Sequence, residues 1–311
     1  KEEPRLKEKI DADPKLTELF KIASQIEGIN RHPGTHPAGV VISDQPITEY
    51  MPLYKGSKQE DPVTTQFDMD AVAKLGMAKF DLLGLRNLTV IDHTLKLIKQ
   101  NHQLEINIDE IPLDDPLVYR MICRGETLGI FQLESSGMTQ LAVRLAPDRI
   151  EDLIALVSLY RPGPLGAGEM INDFIERKHN RKPINYFLPE LEEILQETYG
   201  VILYQEQVMQ IAAKLANYTM AEADMLRKAM GKKLKGMMDE QREPFIARCE
   251  KNGLRKDVAE RIFELIREFA GYGFNKSHST AYALIAYQTG YLKAHYPVEY
   301  LSAYLTSEMD D

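Results

Sequence analysis

Two short stretches carry the residue types from which phosphate and metal chemistry is built. In AKFDLLGLRNL, Asp81 closes an apolar, strand-like run just before a Gly turn and a helix. An ionised carboxylate there needs a partner, and a hard divalent cation such as Mg2+, which takes oxygen ligands, would satisfy it. Lys79, two residues earlier, projects from the same strand face and is placed to touch the same substrate phosphates. The competing reading is a structural Asp that caps the next helix or pairs with Lys79 or Arg86.

The second stretch, GYGFNKSHSTAYALIAYQTGYLKAHYP, puts Lys276, Ser277 and His278 at the head of a long helical pattern that ends at Pro297. Ser277 or Ser279 offers an N-capping hydroxyl. The first turn of a helix leaves N–H groups unpaired, so a bare start attracts anions and a neighbouring Lys strengthens the attraction. No acid lies between Gly271 and Ala294, so the segment reads as arranged for an outside anion, with phosphate foremost; a plain exposed turn is the alternative. A third stretch, MLRKAMGKKLKGMM, holds Arg227, Lys228, Lys232, Lys233 and Lys235 with no acid from Arg227 to Met238. Such a run is either a solvated helix face or a polyanion-binding patch.

Other candidates are weaker. Asp68 and Asp70 form a D-x-D, but a helix-like segment starts straight after them, so they read mainly as N-cap residues. RHPGTHPAGVV supplies Arg31, His32 and His36 on a loop whose prolines and glycine exclude a helical two-His metal site, leaving phosphate contact or a loop role. Gly231–Lys233 lacks the upstream glycine and the Ser/Thr of a P-loop. The YQEQVMQI stretch reads as a helix whose Tyr and Gln meet either bases or solvent.

The elements that must position these residues are legible in outline. Residues 1 to about 30 read as helix, with Leu16, Leu19, Phe20, Ile22, Ala23 and Ile26 giving an apolar stripe after the Asp13-Pro14 start, and the abrupt charged beginning reads as a piece of a longer protein. AGVVIS, PVTTQFD and GMAKFDLLG read as short strands of one sheet. Beyond Gly84 nearly every segment reads as helix, including 149–160, 168–178, 189–197, 201–216, 220–231, 237–251, 256–270 and 278–295. IDEIPLDDP and LYRPGPLGAG are linker candidates. The fold class expected is α+β and predominantly helical, a partial mixed sheet followed by a large all-helical domain.

Composition bounds the rest. Of 311 residues 44% are hydrophobic, no apolar run approaches the roughly 20 residues needed to span a bilayer, and no signal-like start is visible, so a cytoplasmic location without a membrane partner is expected. Cys123 and Cys249 have no metal-like spacing and read as buried or half-buried thiols. The net charge of −9 is uneven: residues 1–200 hold 23 Lys+Arg against 32 Asp+Glu, and residues 201–300 hold 15 against 12. The basic character is local, and screening confines such a patch to about 8 Å at physiological salt.

RHPGTHPAGVVI, VTTQFD, KFDLLGLRNLTVI, GIFQLESSGM, LYRPGPL, GVILYQEQVMQIA, DMLRKAMGKK and FAGYGFNKSHSTAYALIAYQTGYLKAHYP, taken in order, resemble the C-family replicative DNA polymerases, the alpha (catalytic) subunits of bacterial DNA polymerase III. The resemblance covers essentially the whole chain. It implies the end of the thumb at 1–30, the second half of the palm at 31–90 and the fingers at 91–311. It also implies that Asp81 is one of three palm aspartates holding two Mg2+ ions, with Lys79 beside it, and that the other two, a D-x-D, lie upstream of Lys1; Asp68 and Asp70 do not match them. Arg227, Lys228, Lys232, Lys276, Ser277 and His278 would bind the incoming dNTP. Arg31, His36, Lys233 and Lys235 would contact primer–template DNA.

The implied activity is nucleotidyl transfer by a DNA-directed DNA polymerase, one ion activating the primer 3'-hydroxyl and the other holding the triphosphate. The implied partners are primer–template DNA, dNTP, the remaining regions of the same subunit and, through regions absent here, the replicase holoenzyme at the nucleoid. The chain alone, short of two carboxylates, is expected to be inactive. The alternatives are a piece that binds nucleotide or DNA without turnover, a stand-alone phosphotransferase, and a non-enzymatic helical interaction module.

Overall fold

The computed structural model describes residues 4–29, 34–160, 168–231, 235–269 and 273–309. The chain divides into two compact units, Lys1–Gly84 and Leu85–Asp311. The first opens with α1 (Pro4–Ala12) and α2 (Pro14–Ile26), broken where Asp13 accepts a hydrogen bond from the Lys15 N–H and Pro14 starts the next helix. The apolar stripe foreseen on α2 is real but faces solvent within this unit, with Leu19 and Ile26 more than half exposed.

The strands depart from the expected single sheet. β1 (Gly39–Ile42) pairs antiparallel with β4 (Ala78–Asp81), while β2 (Leu53–Lys55) pairs antiparallel with β3 (Val63–Thr65). PVTTQFD therefore closes a separate hairpin with Leu53–Lys55, a strand of three residues whose partner is fixed by a turn rather than by its own pattern. α3 (Met69–Lys74) begins at Asp68, whose carboxylate accepts the Ala71 N–H at 2.8 Å. Asp70 lies in its first turn, so both aspartates take the structural place expected of them. The core of this unit is small, formed by Met51, Val72 and Met77.

The second unit is predominantly helical in its described residues. It runs through α4 (Arg86–His102), α5 (Pro116–Cys123), α6 (Ser136–Leu145), α7 (Ile150–Leu159), α8 (Gly168–Lys178), the short α9 (Glu192–Leu195), α10 (Gln205–Ala216), α11 (Met220–Gly231), α12 (Lys235–Lys251), α13 (Lys256–Phe269), α14 (Lys276–His295) and α15 (Pro297–Glu308). One core gathers α5 to α8 around α14, with Ile122, Leu153, Leu156, Phe174 and Tyr287 buried in it. A second joins α10 to α13 through Ile211, Leu226, Phe245 and Phe263. A third sits where α4, α14 and α15 meet, around Ile98, Leu292 and Tyr300. α14 thus contributes to two cores, which fixes its axis and the place of its first turn.

IDEIPLDDP forms the connection between α4 and α5, whereas Arg161–Ala167 of the other linker candidate lie outside the described residues. Cys123 is half-buried and Cys249 buried, both as free thiols. Among the described residues no helix is long and apolar enough to cross a membrane.

Candidate functional site

Asp81 ends β4, opposite Gly39 of β1. Lys79 Nζ donates to Asp81 Oδ1, and His36 Nδ1 stands 4.0 Å from the same oxygen. Gly39 permits this crowding, since a Cβ there would lie 3.0 Å from both the His36 ring and the Lys79 stem. The Lys79 hydrogen bond holds the Asp81 carboxyl below the usual carboxylate range, against a smaller opposing effect of desolvation. His36 Nδ1 also accepts the Ala38 N–H at 3.2 Å, a bond internal to its loop. A groove of about 640 Å³ runs past His36, Lys79, Val41, Thr65 and Phe67.

Asp81 was expected within an apolar run, short of solvent. Its side chain is instead 46% exposed, because a two-stranded ribbon leaves one face open. Of the partners weighed for it, Lys79 is in contact. Among the described residues no three His, Cys, Asp or Glu side chains converge. One carboxylate held by a lysine does not fit a site for two Mg2+ ions, so these residues do not make that site by themselves.

The second group of candidates meets where two helices begin side by side. Tyr204 and Phe274 form a parallel bridge, with the Gln205 N–H donating to the Phe274 carbonyl at 2.8 Å. This sets the first turns of α10 and α14 next to each other. Gly273 lets the chains approach, since a Cβ there would meet the Phe269 ring at 3.0 Å and Gln205 Cγ at 3.1 Å. Gln205 ties in α11 as well, its Nε2 donating to the Gly273 carbonyl at 3.1 Å and its Oε1 accepting from Arg227 Nη1 at 3.4 Å.

Around this junction lie Arg227, Lys228, Lys276, Ser277 and His278. Lys276 Nζ bonds Glu197 Oε2 at 2.6 Å and lies 5.5 Å from the Tyr204 ring centroid. Arg227 and Lys228 share Asp224, at 2.7 and 2.8 Å. The exposed His278 ring stacks on Tyr282 with centroids 4.1 Å apart, and Tyr282 in turn packs on Phe131. Ser277 is exposed in the same turn. Arg31, Lys232 and Lys233 lie outside the described residues, and Lys235 is described only as the first residue of α12.

Three expectations are corrected here. The N-cap of α14 is Asn275, whose Oδ1 accepts the His278 N–H at 2.8 Å; Ser279 is buried a turn later and bonds the Lys276 carbonyl. The helix start is not bare, because Glu206 of α10 accepts the Lys276 N–H and the Asn275 side-chain amide, each at 3.0 Å. Tyr204 and Gln207 face inward rather than toward bases or solvent, Gln207 Oε1 accepting the Leu203 and Tyr204 N–H groups. The acids Glu197, Glu206 and Asp224 had escaped notice. Glu206 carried a signal as an acid in a first helical turn, but its target lies 70 residues along the chain.

α11 carries Arg227 and Lys228, and its own start is a capping box. Glu222 Oε2 accepts the Thr219 N–H at 2.8 Å, Thr219 Oγ1 accepts the Glu222 N–H at 3.3 Å, and Glu222 Oε1 pairs with Arg248 of α12 at 2.7 Å. The Arg248 hydrogen bond, followed by those from Thr219, takes the Glu222 carboxyl from an ordinary 4.5 down to about 2. A depressed carboxylate adds stability that is complete above its unfolded pKa and disappears as pH falls through its folded one. The stability gap between the wild type and Glu222→Gln is therefore expected to be constant above about pH 5 and to close toward pH 2. Urea midpoints of both proteins across that range check it.

Residues 87–253 match the family model of the bacterial DNA polymerase III alpha subunit finger domain, and residues 1–84 that of the bacterial DNA polymerase III alpha NTPase domain. The DNA polymerase III subunit alpha of Thermus aquaticus is 46% identical over 313 positions, covering 99% of this chain and 25% of the relative. The subunits of Escherichia coli K12 and Vibrio cholerae are 49% and 50% identical, each over 99% of this chain and 27% of their own length. The chain spans about a quarter of these relatives. With a finger-domain match over more than half its residues, the chain belongs to the family of bacterial DNA polymerase III alpha subunits.

Proposed function

We propose that this chain forms part of the catalytic core of a replicative DNA-directed DNA polymerase, with residues of α10, α11 and α14 receiving the triphosphate of the incoming dNTP. The observation that carries this reading is the convergence of Arg227, Lys228, Lys276 and His278 on one junction of paired helix starts. Positive side chains meeting there suit a polyanion, and Lys276 and Arg227 would offset phosphate charge as it develops. His278, stacked on Tyr282, offers a ring edge beside the same turn. Primer–template DNA is the second ligand, contacted through phosphates and shape.

Asp81, next to Lys79, is proposed as one carboxylate ligand toward Mg2+, with the rest of that site supplied by other regions of the same subunit. Binding without turnover is the reading proposed for this chain alone. The test is calorimetric titration of the folded chain with dATP, with and without primer–template DNA. Saturable dATP binding that inorganic tripolyphosphate competes away supports the reading, and a folded chain that binds neither overturns it.

A further inference from the structure

Arg227, Lys228 and Lys276 supply three positive charges, and each is already engaged by an acid of the same unit. Asp224 holds Arg227 and Lys228, and Glu197 holds Lys276 Nζ. Glu206 takes the Lys276 backbone N–H and the Asn275 amide, the two donors that open α14. Three carboxylates against three cations leave the cluster neutral, although the stretch containing Arg227 reads as strongly basic in sequence.

We infer that Asp224, Glu197 and Glu206 occupy the donors a polyphosphate takes, so that the ligand binds by exchange: its oxygens replace these carboxylates on Arg227, Lys228 and Lys276. The inference rests on the nucleotide-binding reading and deepens it, making the three acids determinants of how many phosphates a ligand must carry. The pairs are suited to exchange. Side-chain exposures of 33% for Asp224, 28% for Glu197 and 36% for Lys276 place them at the protein–water boundary. Pairs of that kind hold weakly, because water screens both partners and offers the freed acid an alternative.

A chain of three phosphates meets several donors at once and gains from each, whereas a single phosphate must displace an acid for one contact. The internal acids therefore set a threshold that a triphosphate passes and a monophosphate does not. Lysine, with three donors, also permits a phosphate oxygen to join before Glu197 leaves.

The experiment titrates the chain, Asp224→Asn, Glu197→Gln and Lys276→Ala with inorganic phosphate, pyrophosphate and tripolyphosphate, folding being checked by circular dichroism. Exchange predicts that Asp224→Asn and Glu197→Gln tighten tripolyphosphate binding by roughly three- to ten-fold, narrow the gap between pyrophosphate and tripolyphosphate, and that Lys276→Ala weakens binding. If Lys276→Ala weakens binding while the two acid variants leave it unchanged or weaken it, the exchange is wrong and the acids serve to hold the cations in place. If Lys276→Ala binds as the wild type does, or no protein in the set binds tripolyphosphate, the nucleotide-binding reading falls and the exchange with it.

Discussion

Lys276→Ala is expected to weaken binding of dATP or tripolyphosphate by roughly ten- to a hundred-fold, the value of one charge-assisted contact of about 1.5–3 kcal/mol. Two effects add. The variant loses the ammonium, and it leaves Glu197 without the cation at 2.6 Å, so a net negative charge faces the incoming phosphates. Lys276→Arg keeps the charge and is expected to recover most of the loss, whereas Lys96→Ala, on an exposed face of α4 where Lys96 pairs with Asp92, leaves affinity unchanged. Titration at 50 and 200 mM salt separates charge from shape. The wild type should lose affinity more steeply with salt than Lys276→Ala, and equal slopes would remove Lys276 from the binding site.

Glu197 enters that prediction although nothing in its own neighbourhood marked it, and the reason shows where sequence reading stops. Helices whose apolar residues recur at three and four were legible to within a residue or two: α13 buries Ala259, Ile262, Phe263, Ile266 and Phe269 on one face. Residues 201–204, read as the start of α10, precede the helix instead. Their apolar run fits helix or strand equally, and the choice is made by Gln207, which caps the Leu203 and Tyr204 N–H groups, and by the bridge to Phe274. The cap is local, three and four residues along the chain, while the bridge to Phe274 is tertiary.

The candidate site divides in the same way. The basic residues and the N-terminal place of Lys276 were visible, because residue type and local pattern carry them. Two of the neutralising acids were not, since Glu197 and Glu206 reach Lys276 from 79 and 70 residues away, whereas Asp224 stands three and four residues before Arg227 and Lys228 on their own helix. A search for acids confined to one helix finds none and concludes that its start is bare. The contact of Asp81 with Lys79 follows from β4, in which alternate residues share a face.

The segment that carries Glu197 is held by a buried charge network, and Lys178→Met is expected to cost about 3–5 kcal/mol of stability by breaking it. Lys178 of α8 is 6% exposed and bonds Asp152 Oδ2 at 2.8 Å and Asp148 Oδ1 at 2.9 Å. Asp152, 1% exposed, keeps the Asp148 N–H at 3.2 Å, the Tyr199 hydroxyl at 3.1 Å and Arg149 Nε at 3.5 Å once Lys178 is gone, but loses its closest cation. Burial already pushes the Asp152 carboxyl up, with the Lys178 hydrogen bond the largest opposing influence, so the variant should leave Asp152 protonated to a higher pH. Arg149 and Tyr199 extend the effect toward the site, since Arg149 Nη2 donates to the Tyr199 hydroxyl at 2.9 Å and to the Glu197 carbonyl at 3.2 Å. Denaturant unfolding of Lys178→Met and of the double variant Lys178→Met/Asp152→Leu separates the causes. A double variant that regains most of the loss assigns it to the unpaired carboxylate, because a buried pair replaced by apolar side chains is close to neutral. A double variant as unstable as the single one excludes the unpaired carboxylate as the cause.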